Sequence, residues 1–274
     1  MKIIGSKNFL ALLIILFVIG FSTSAGTIIG YPTLASLIVN EPGPVNELPG
    51  EANPHYVAYP FCLQTHRVQS REYVKTYAKN KRSYIIHIFN KGKKFFPKAK
   101  TILEKYDVPV ELMMLPVLES EFNANAVSPV GAVGYWQFMG ELAKEYGLQI
   151  SSKYDERKNF TKSTTAAAKY FRDQLNYFDD DLLLAVASYN CGSGRVRASI
   201  KKSGLKNADY WDIRKFLPSE TRKFVMNFIA LNVISDNYEK FVDRKLNFNE
   251  DPFIQLAKAN SDSGEIAQQT TMVD

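Results

Sequence analysis

Histidine and cysteine are scarce in this 274-residue sequence, which contains three histidines and two cysteines. The histidines, His55, His66 and His87, are scattered without the spacing of metal ligands, and no Cys or His pair lies at a zinc-like interval. We therefore predict neither a metal ion nor any other cofactor.

Internal repeats are absent from the sequence, and the alternating pattern of β-strands is nearly so. The composition, 46% hydrophobic and 23% charged, is typical of globular proteins and argues against a disordered chain, a collagen-like chain or a multi-span membrane protein. Without a short targeting segment and a polar tail, roughly 200 residues remain, which is the size of one domain. These features favour a single all-α domain.

Apolar residues recur at helical spacing along most of the chain after residue 70. In the helix predicted to begin at Pro109, Pro116 removes one backbone hydrogen bond and should bend the helix just before Glu119. The predicted helices cover residues 71–90, 97–106, 109–122, 135–146, 161–178, 181–190, 193–203 and 219–237.

The N-terminus has the pattern of a secretory signal. Lys2 and Lys7 precede an apolar run over residues 9–21, and small residues follow with a plausible cleavage site near Ala25. The run is shorter than the about 20 residues that a spanning helix needs. Because the sequence stays largely apolar to Val39, an uncleaved anchor remains an alternative. In either case we expect export to the periplasm or cell envelope.

The rest of the chain divides by composition into a linker, a folded unit and a tail. We assign residues 1–25 to the signal or anchor, 26–60 to a Pro-rich linker, 61–246 to the folded domain and 247–274 to a polar tail. Residues 40–246 carry a net charge of +8, whereas the tail carries −4. A basic exported domain suits an anionic polymer such as a cell wall, or an anionic membrane surface, better than nucleic acid.

Export leaves two interpretations open for the cysteines. Oxidising compartments permit a disulfide between Cys62 and Cys191. Two buried free thiols are equally consistent with the sequence, because sequence does not give the distance between them.

Two acidic residues in the segment LPVLESEFNANAVSPVGAVGYWQFM, residues 115–139, raise the question of their role. Carboxylates are seldom buried without a partner, and burial favours the neutral form that a general acid requires. On a helix, Glu119 and Glu121 would lie about 200° apart, so they cannot converge on one bond. The apolar pattern does not decide which of them faces the interior.

Four motifs in order resemble the soluble-lytic-transglycosylase catalytic domain, and most closely the membrane-bound lytic murein transglycosylase D group. They are ES at 119–120, SPVGAVGYWQFM at 128–139, ASYNCGSGRV at 187–196 and ETRKFV at 220–225, within a catalytic core of about residues 100–235. The resemblance implies a lysozyme-like helical fold with a substrate cleft. It also implies that Glu119 cleaves the bond between N-acetylmuramic acid and N-acetylglucosamine in peptidoglycan, leaving a 1,6-anhydromuramyl end.

The same resemblance assigns the remaining site residues. We predict that Ser120 and Gly131 give structural support and that seven residues bind the glycan strand: Ser128, Gly134, Gln137, Met139, Tyr189, Asn190 and Glu220. The sequence departs from the family at Phe224, where a tyrosine is common, and at Cys191, where a smaller residue is usual.

Two alternatives remain beside this interpretation. A hydrolytic muramidase on the same fold would need a second carboxylate to activate water. A non-catalytic peptidoglycan-binding module would keep the cleft without the acid, which the presence of Glu119 disfavours. The expected partner is the peptidoglycan strand, with membrane association through the N-terminal segment and no nucleic acid.

Overall fold

Helices account for nearly all the regular structure in the computed structural model, which describes residues 57–248. Across these residues there are isolated β-bridges but no β-strand, and the predicted all-α class is confirmed. No helix in this part of the chain combines the length and apolarity needed to cross a membrane. The predicted signal or anchor, nearly all of the linker and nearly all of the tail lie outside the described residues.

Eleven α-helices and four 3-10 helices follow one another within the described part of the chain. The α-helices are α1 Arg67–Asn80, α2 Arg82–Gly92, α3 Phe96–Lys105, α4 Leu115–Ser120, α5 Gly140–Glu145, α6 Phe160–Tyr177, α7 Leu182–Cys191, α8 Ser193–Ser203, α9 Tyr210–Ile213, α10 Ser219–Asp236 and α11 Tyr238–Val242. The 3-10 helices are Phe61–His66, Val110–Met114, Glu156–Lys158 and Arg214–Phe216.

The helix α7 is the most deeply buried part of the core. All residues from Leu182 to Ser188 are buried, which is the pattern of a helix that is apolar on every side. It packs against α6, α8 and α10, and α1 lies along α10. Buried residues of α10 complete the core, so the last turn of α7 and the first turn of α10 are held on a rigid base.

Side-chain caps fix the starts of several helices close to their predicted positions. Asn159 accepts a hydrogen bond from the backbone N–H of Lys162 at 3.1 Å and starts α6. Asp181 accepts one from the N–H of Leu184 at 2.8 Å and starts α7. Each cap satisfies an N–H group that has no partner inside the helix.

Two predicted helices are wrong in their extent. The helix predicted over 71–90 is divided at Lys81 into α1 and α2, although the apolar pattern continues across the break. Of the helix predicted over 135–146, only Gly140–Glu145 is helical. The preceding residues cannot join it because Gln137 has a left-handed φ of 50°.

The helix predicted from Pro109 is also shorter and divided. Residues Val110–Met114 form a 3-10 helix, and α4 follows with Pro116 in its first turn, where a missing N–H costs little. The expected bend therefore takes the form of a change of helix type. The helix ends at Ser120 because Glu121 and Phe122 have φ values of 51° and 56°.

An aromatic cluster holds the chain immediately after α4. The ring of Phe122 stacks on Phe95 with centroids 4.7 Å apart and lies edge-on to Phe96 at 5.4 Å. Phe160 packs against Phe95 at 4.7 Å. These contacts bury Phe122 and anchor its left-handed backbone.

The two cysteines are free and partly buried, in agreement with the free-thiol interpretation rather than the disulfide. Burial, followed by the nearby Glu111 carboxylate, raises the pKa of the Cys62 thiol. Such a thiol is a poor nucleophile because the reactive form is the thiolate.

Candidate functional site

Glu119 lies on the last turn of α4, next to the fully buried residues Leu115 and Val117. The residue keeps some exposure to solvent, but the protein is dense around its carboxyl group. Burial, with a smaller contribution from the Glu220 carboxylate, raises the pKa of Glu119 to about 8. The carboxyl group is thus mostly protonated at neutral pH and can donate a proton there.

Tyr189 and Glu220 lie close enough to Glu119 to interact with it electrostatically. Burial, and then the charge of Glu119, raises the pKa of Tyr189 well above its usual value. Glu220 is exposed in the first turn of α10. The structure therefore brings together three of the predicted site residues, from α4, α7 and α10.

The end of α7 is fixed to its surroundings by two hydrogen bonds. The hydroxyl group of Tyr189 donates to the backbone carbonyl of Trp136, and its ring stacks on Phe171. The hydroxyl of Thr221 donates to the side-chain oxygen of Asn190 at 2.7 Å and joins α10 to α7. The Tyr189 hydroxyl is therefore engaged with the loop 128–139, while Asn190 remains partly exposed beside the site.

The loop 128–139 is held mainly by its own backbone and polar side chains. The hydroxyl oxygen of Ser128 accepts a hydrogen bond from the N–H of Ala132 at 3.0 Å. The Gln137 amide nitrogen donates to the carbonyls of Gly134 and Ala126 at 2.8 and 3.2 Å. Both side chains therefore shape the loop, and their contacts with a sugar stay predictions.

Two further predicted site residues are Ser120, the last residue of α4, and Met139, the last residue of the loop 128–139. The hydroxyl of Ser120 donates to the carbonyl of Tyr135 at 2.8 Å and ties the end of α4 to the loop. The side chain of Met139 is 45% exposed, so it is free to form a surface contact. Phe224, at the position where the family often has a tyrosine, is partly buried against the core.

Gly134 is required by a close approach between two segments of backbone. Its φ is 84°, and a Cβ atom at this position would lie 2.1 Å from the carbonyl oxygen of Arg157. No side chain fits there without moving the backbone. Gly131 shares the left-handed φ, at 88°, but a Cβ there would meet open space.

Arg157 is a buried residue that the sequence interpretation missed. It pairs with Asp155 at 2.7 Å and donates to the carbonyls of Phe138 and Gly131 at 3.0 and 3.2 Å. The Arg157 hydrogen bonds lower the pKa of Asp155. The Arg157 guanidinium thus holds the loop 128–139 by hydrogen bonds to its backbone. No spacing pattern in the sequence predicts these hydrogen bonds.

Three other carboxylates, Asp155, Glu156 and Glu121, have different surroundings. Asp155 is paired with Arg157, and Glu156 forms an ion pair with Lys162. Glu121 lines a separate cavity with Tyr77 and Tyr84, because its left-handed backbone ends α4. Among the described residues, Glu220 is the carboxylate whose charge acts on the pKa of Glu119.

Metal ligands usually occur as clusters of His, Cys, Asp or Glu side chains, and the described part of the chain is residues 57–248. In that range no three His, Cys, Asp or Glu side chains lie close enough together to hold a metal ion. The absence of a metal from the working protein stays a prediction.

The raised pKa of Glu119 has a consequence for stability. The unfolded chain, with an ordinary Glu pKa of 4.5, releases this proton before the folded protein does. The neutral carboxyl therefore contributes fully below about pH 4.5, and its contribution is lost as pH rises to about 8. We expect Glu119→Gln, which stays neutral, to be more stable than the wild type at pH 8, by on the order of 2 kcal/mol, after allowance for partial exposure.

Thermal unfolding at about pH 4.5 and 8 measures this effect. The expected gain for Glu119→Gln at pH 8 is about 5 °C, with little difference at pH 4.5. The exposed Glu145, on α5, provides the control substitution Glu145→Gln. An equal change in Tm at both pH values for Glu119→Gln would contradict the raised pKa.

Part of the chain is similar to known proteins. Residues 98–211 match the family model described as the transglycosylase SLT domain. The chain is 35% identical to the membrane-bound lytic murein transglycosylase D of Escherichia coli strain K12 over 173 residues, 62% of this chain and 38% of that protein. It is 29% identical to the membrane-bound lytic murein transglycosylase F of Shewanella pealeana over 163 residues, 55% of this chain and 31% of that protein.

The chain thus spans less than two fifths of the length of these relatives. Among solved structures, the 70 kDa soluble lytic transglycosylase of Escherichia coli has a TM-score of 0.44 and 24% identity, covering 51% of this chain and 24% of that chain. An inactive mutant of the lytic transglycosylase Slt of Pseudomonas aeruginosa has a TM-score of 0.45 and 20% identity, covering 66% and 32%. The resemblance predicted from the four motifs is confirmed by the family model and the sequence relatives.

Proposed function

We propose that this chain, with its transglycosylase SLT domain over residues 98–211, is a lytic transglycosylase that cleaves peptidoglycan between N-acetylmuramic acid and N-acetylglucosamine. The observation that carries the proposal is the environment of Glu119, a partly buried carboxyl group with a pKa of about 8 beside the loop 128–139. A carboxyl group in this state serves as a general acid at neutral pH.

In this mechanism one carboxyl group acts twice. Glu119 first donates its proton to the glycosidic oxygen, and the N-acetyl group of the muramic acid stabilises the cationic carbon that forms. The ionised Glu119 then accepts the proton of the 6-hydroxyl group of the same sugar, whose oxygen attacks that carbon. The nucleophile belongs to the bound sugar, so the ring closure is intramolecular and requires only correct positioning.

The hydrolytic alternative is supported by one specific observation, which concerns Glu220. Conventional glycosidases use a second carboxyl group as base or nucleophile. The charge of Glu220 acts on the pKa of Glu119, and Glu220 is exposed to water. A muramidase mechanism would therefore use Glu220 as its second group, whereas the lytic mechanism uses it to keep Glu119 protonated and to bind sugar.

The product distinguishes the two mechanisms. We expect purified cell wall digested by this protein to give muropeptides that end in 1,6-anhydromuramic acid, because no water is consumed. Each such end is lighter by about 18 mass units, one water, than the hydrolytic product, a difference that mass spectrometry resolves. If most fragments instead carry a reducing sugar end, which borohydride reduces, the reaction is hydrolysis and the lytic mechanism is wrong.

The proposed location is the cell envelope. The predicted signal or anchor, the net charge of +8 over residues 40–246 and the anionic nature of the wall support it. We further propose that the folded domain is the catalytic unit and that the N-terminal segment provides any membrane association.

A further inference from the structure

The cavity that Glu121 lines, of about 540 Å³, opens between α1, α2, the end of α4 and α10. We call it the tyrosine cavity. Its lining residues are Tyr73, Thr76, Tyr77, Asn80, Lys81, Tyr84, Leu118, Glu121, Lys223 and Asn227. All of them except Leu118 and Glu121 lie outside residues 98–211, so the family match does not account for the cavity.

The walls of the tyrosine cavity are aromatic and hydrogen-bonded. The rings of Tyr73 and Tyr77 stack with centroids 6.1 Å apart and an interplanar angle of 19°. The hydroxyl of Tyr73 donates to the side-chain oxygen of Asn227 at 2.6 Å, which ties α1 to α10. Burial raises the pKa of Tyr77 to about 12, and burial followed by the charge of Glu121 raises the pKa of Tyr84. The phenols therefore stay protonated and the walls are fixed in place.

The charges of the tyrosine cavity are not neutralised by one another. Lys81 and Lys223 are exposed, and neither forms a salt bridge with another residue in the range 57–248. The charge of Glu121 acts on the Tyr84 hydroxyl, and Glu121 forms no salt bridge within the same range. A cavity with two available ammonium groups and one carboxylate suits a ligand that carries carboxylates and an amino group.

Two lining residues of the tyrosine cavity share one face of α10 with Glu220 of the proposed catalytic site. Glu220, Lys223 and Asn227 follow at intervals of three and four residues, which places them on the same face. The helical rise puts Lys223 and Asn227 about 5 and 10 Å beyond Glu220 along the axis. Two other lining residues, Leu118 and Glu121, lie within two positions of Glu119 in the sequence.

We infer that the tyrosine cavity binds the peptide stem of peptidoglycan, an inference that rests on the proposed function. The stem is attached to the muramic acid whose glycosidic bond is cut, so it starts beside Glu119. It carries free carboxylates for Lys81 and Lys223 and the amino group of its diamino acid for Glu121. Glycan hydroxyl groups are neutral, so they offer these charged side chains no ion pair.

The test compares two substrates that differ only in the stem: glycan strands with stems, and the same strands after an amidase has removed them. The variant is Lys81→Met with Lys223→Met, in which both side chains are exposed and the fold is expected to persist. The control is Lys75→Met with Lys79→Met, which removes two exposed charges from α1 outside the cavity. We expect the ratio of kcat/KM on stem-bearing to denuded strands to fall about tenfold in the variant and to stay at the wild-type value in the control.

Each outcome bears on the inference. An unchanged ratio, or an equal loss on both substrates, would overturn stem binding; an equal loss would indicate a glycan site. If the wild type cleaves neither substrate, the proposed function fails, and calorimetry with the soluble tetrapeptide L-alanyl-γ-D-glutamyl-meso-diaminopimelyl-D-alanine tests the cavity by itself. Binding that weakens about tenfold in the variant but not in the control supports the site, and absence of binding by the wild type overturns it.

Discussion

Glu119→Gln is expected to lower the rate of cell-wall cleavage by at least about a thousandfold, since the amide keeps the size of the side chain but has no proton to give to the leaving oxygen. General acid catalysis is worth about 10²–10⁴-fold, and in the proposed mechanism the same group also acts as the base. The measurement is release of soluble muropeptides from purified wall, with circular dichroism to establish that the helices are intact.

The matched control is Glu145→Gln, because Glu145 is an exposed acid on α5 outside the proposed site. We expect it to keep wild-type activity. A folded Glu119→Gln protein that still releases muropeptides within tenfold of the wild-type rate would remove Glu119 from the catalytic role. A pH profile adds a second check: activity of the wild type should decline as pH rises through about 8, as Glu119 loses its proton.

Gly134→Ala is expected to be the most destabilising of the substitutions considered. The new Cβ would lie 2.1 Å from the carbonyl oxygen of Arg157, and the φ of 84° is unfavourable for any residue with a side chain. Backbone strain and overpacking each cost about 1–3 kcal/mol, so the sum is about 4 kcal/mol and the Tm should fall by about 10 °C.

Gly147→Ala separates the two causes. Gly147 has a φ of 86°, but a Cβ there has no atom within 4 Å, so this variant has only the backbone strain. We expect it to lose about 1 kcal/mol. Equal losses of Tm in the two variants would mean that the contact with Arg157 does not hold the loop.

How well the sequence predicts each part of the structure depends on the interactions that determine that part. The helices α6, α7, α8 and α10 were predicted to within about two residues, because their apolar residues form helix-length stretches bounded by polar segments. In the structure, the side chains of Asn159 and Asp181 fix two of these starts.

The loop 128–139 could not be predicted in the same way. Its shape depends on the left-handed backbone of Gln137 and on the hydrogen bonds of Arg157, which lies 19 and 26 residues from the two carbonyls that it contacts. For the same reason, helical spacing did not separate Glu119 from Glu121: their directions differ because α4 ends between them, at a backbone angle that the apolar pattern does not encode.

The left-handed conformation of Phe122, clamped by Phe95 and Phe96, bears on how the acid is positioned before substrate arrives. Such a backbone costs about 1–3 kcal/mol, which the aromatic contacts offset during folding. The orientation of the α4 carboxyl is thus set in advance, and little reorganisation remains for the bound state. If the α4 carboxyl is the proton donor as proposed, substitutions that loosen the phenylalanine rings would let it sample more directions and would slow turnover, even with the helices and the substrate affinity unchanged.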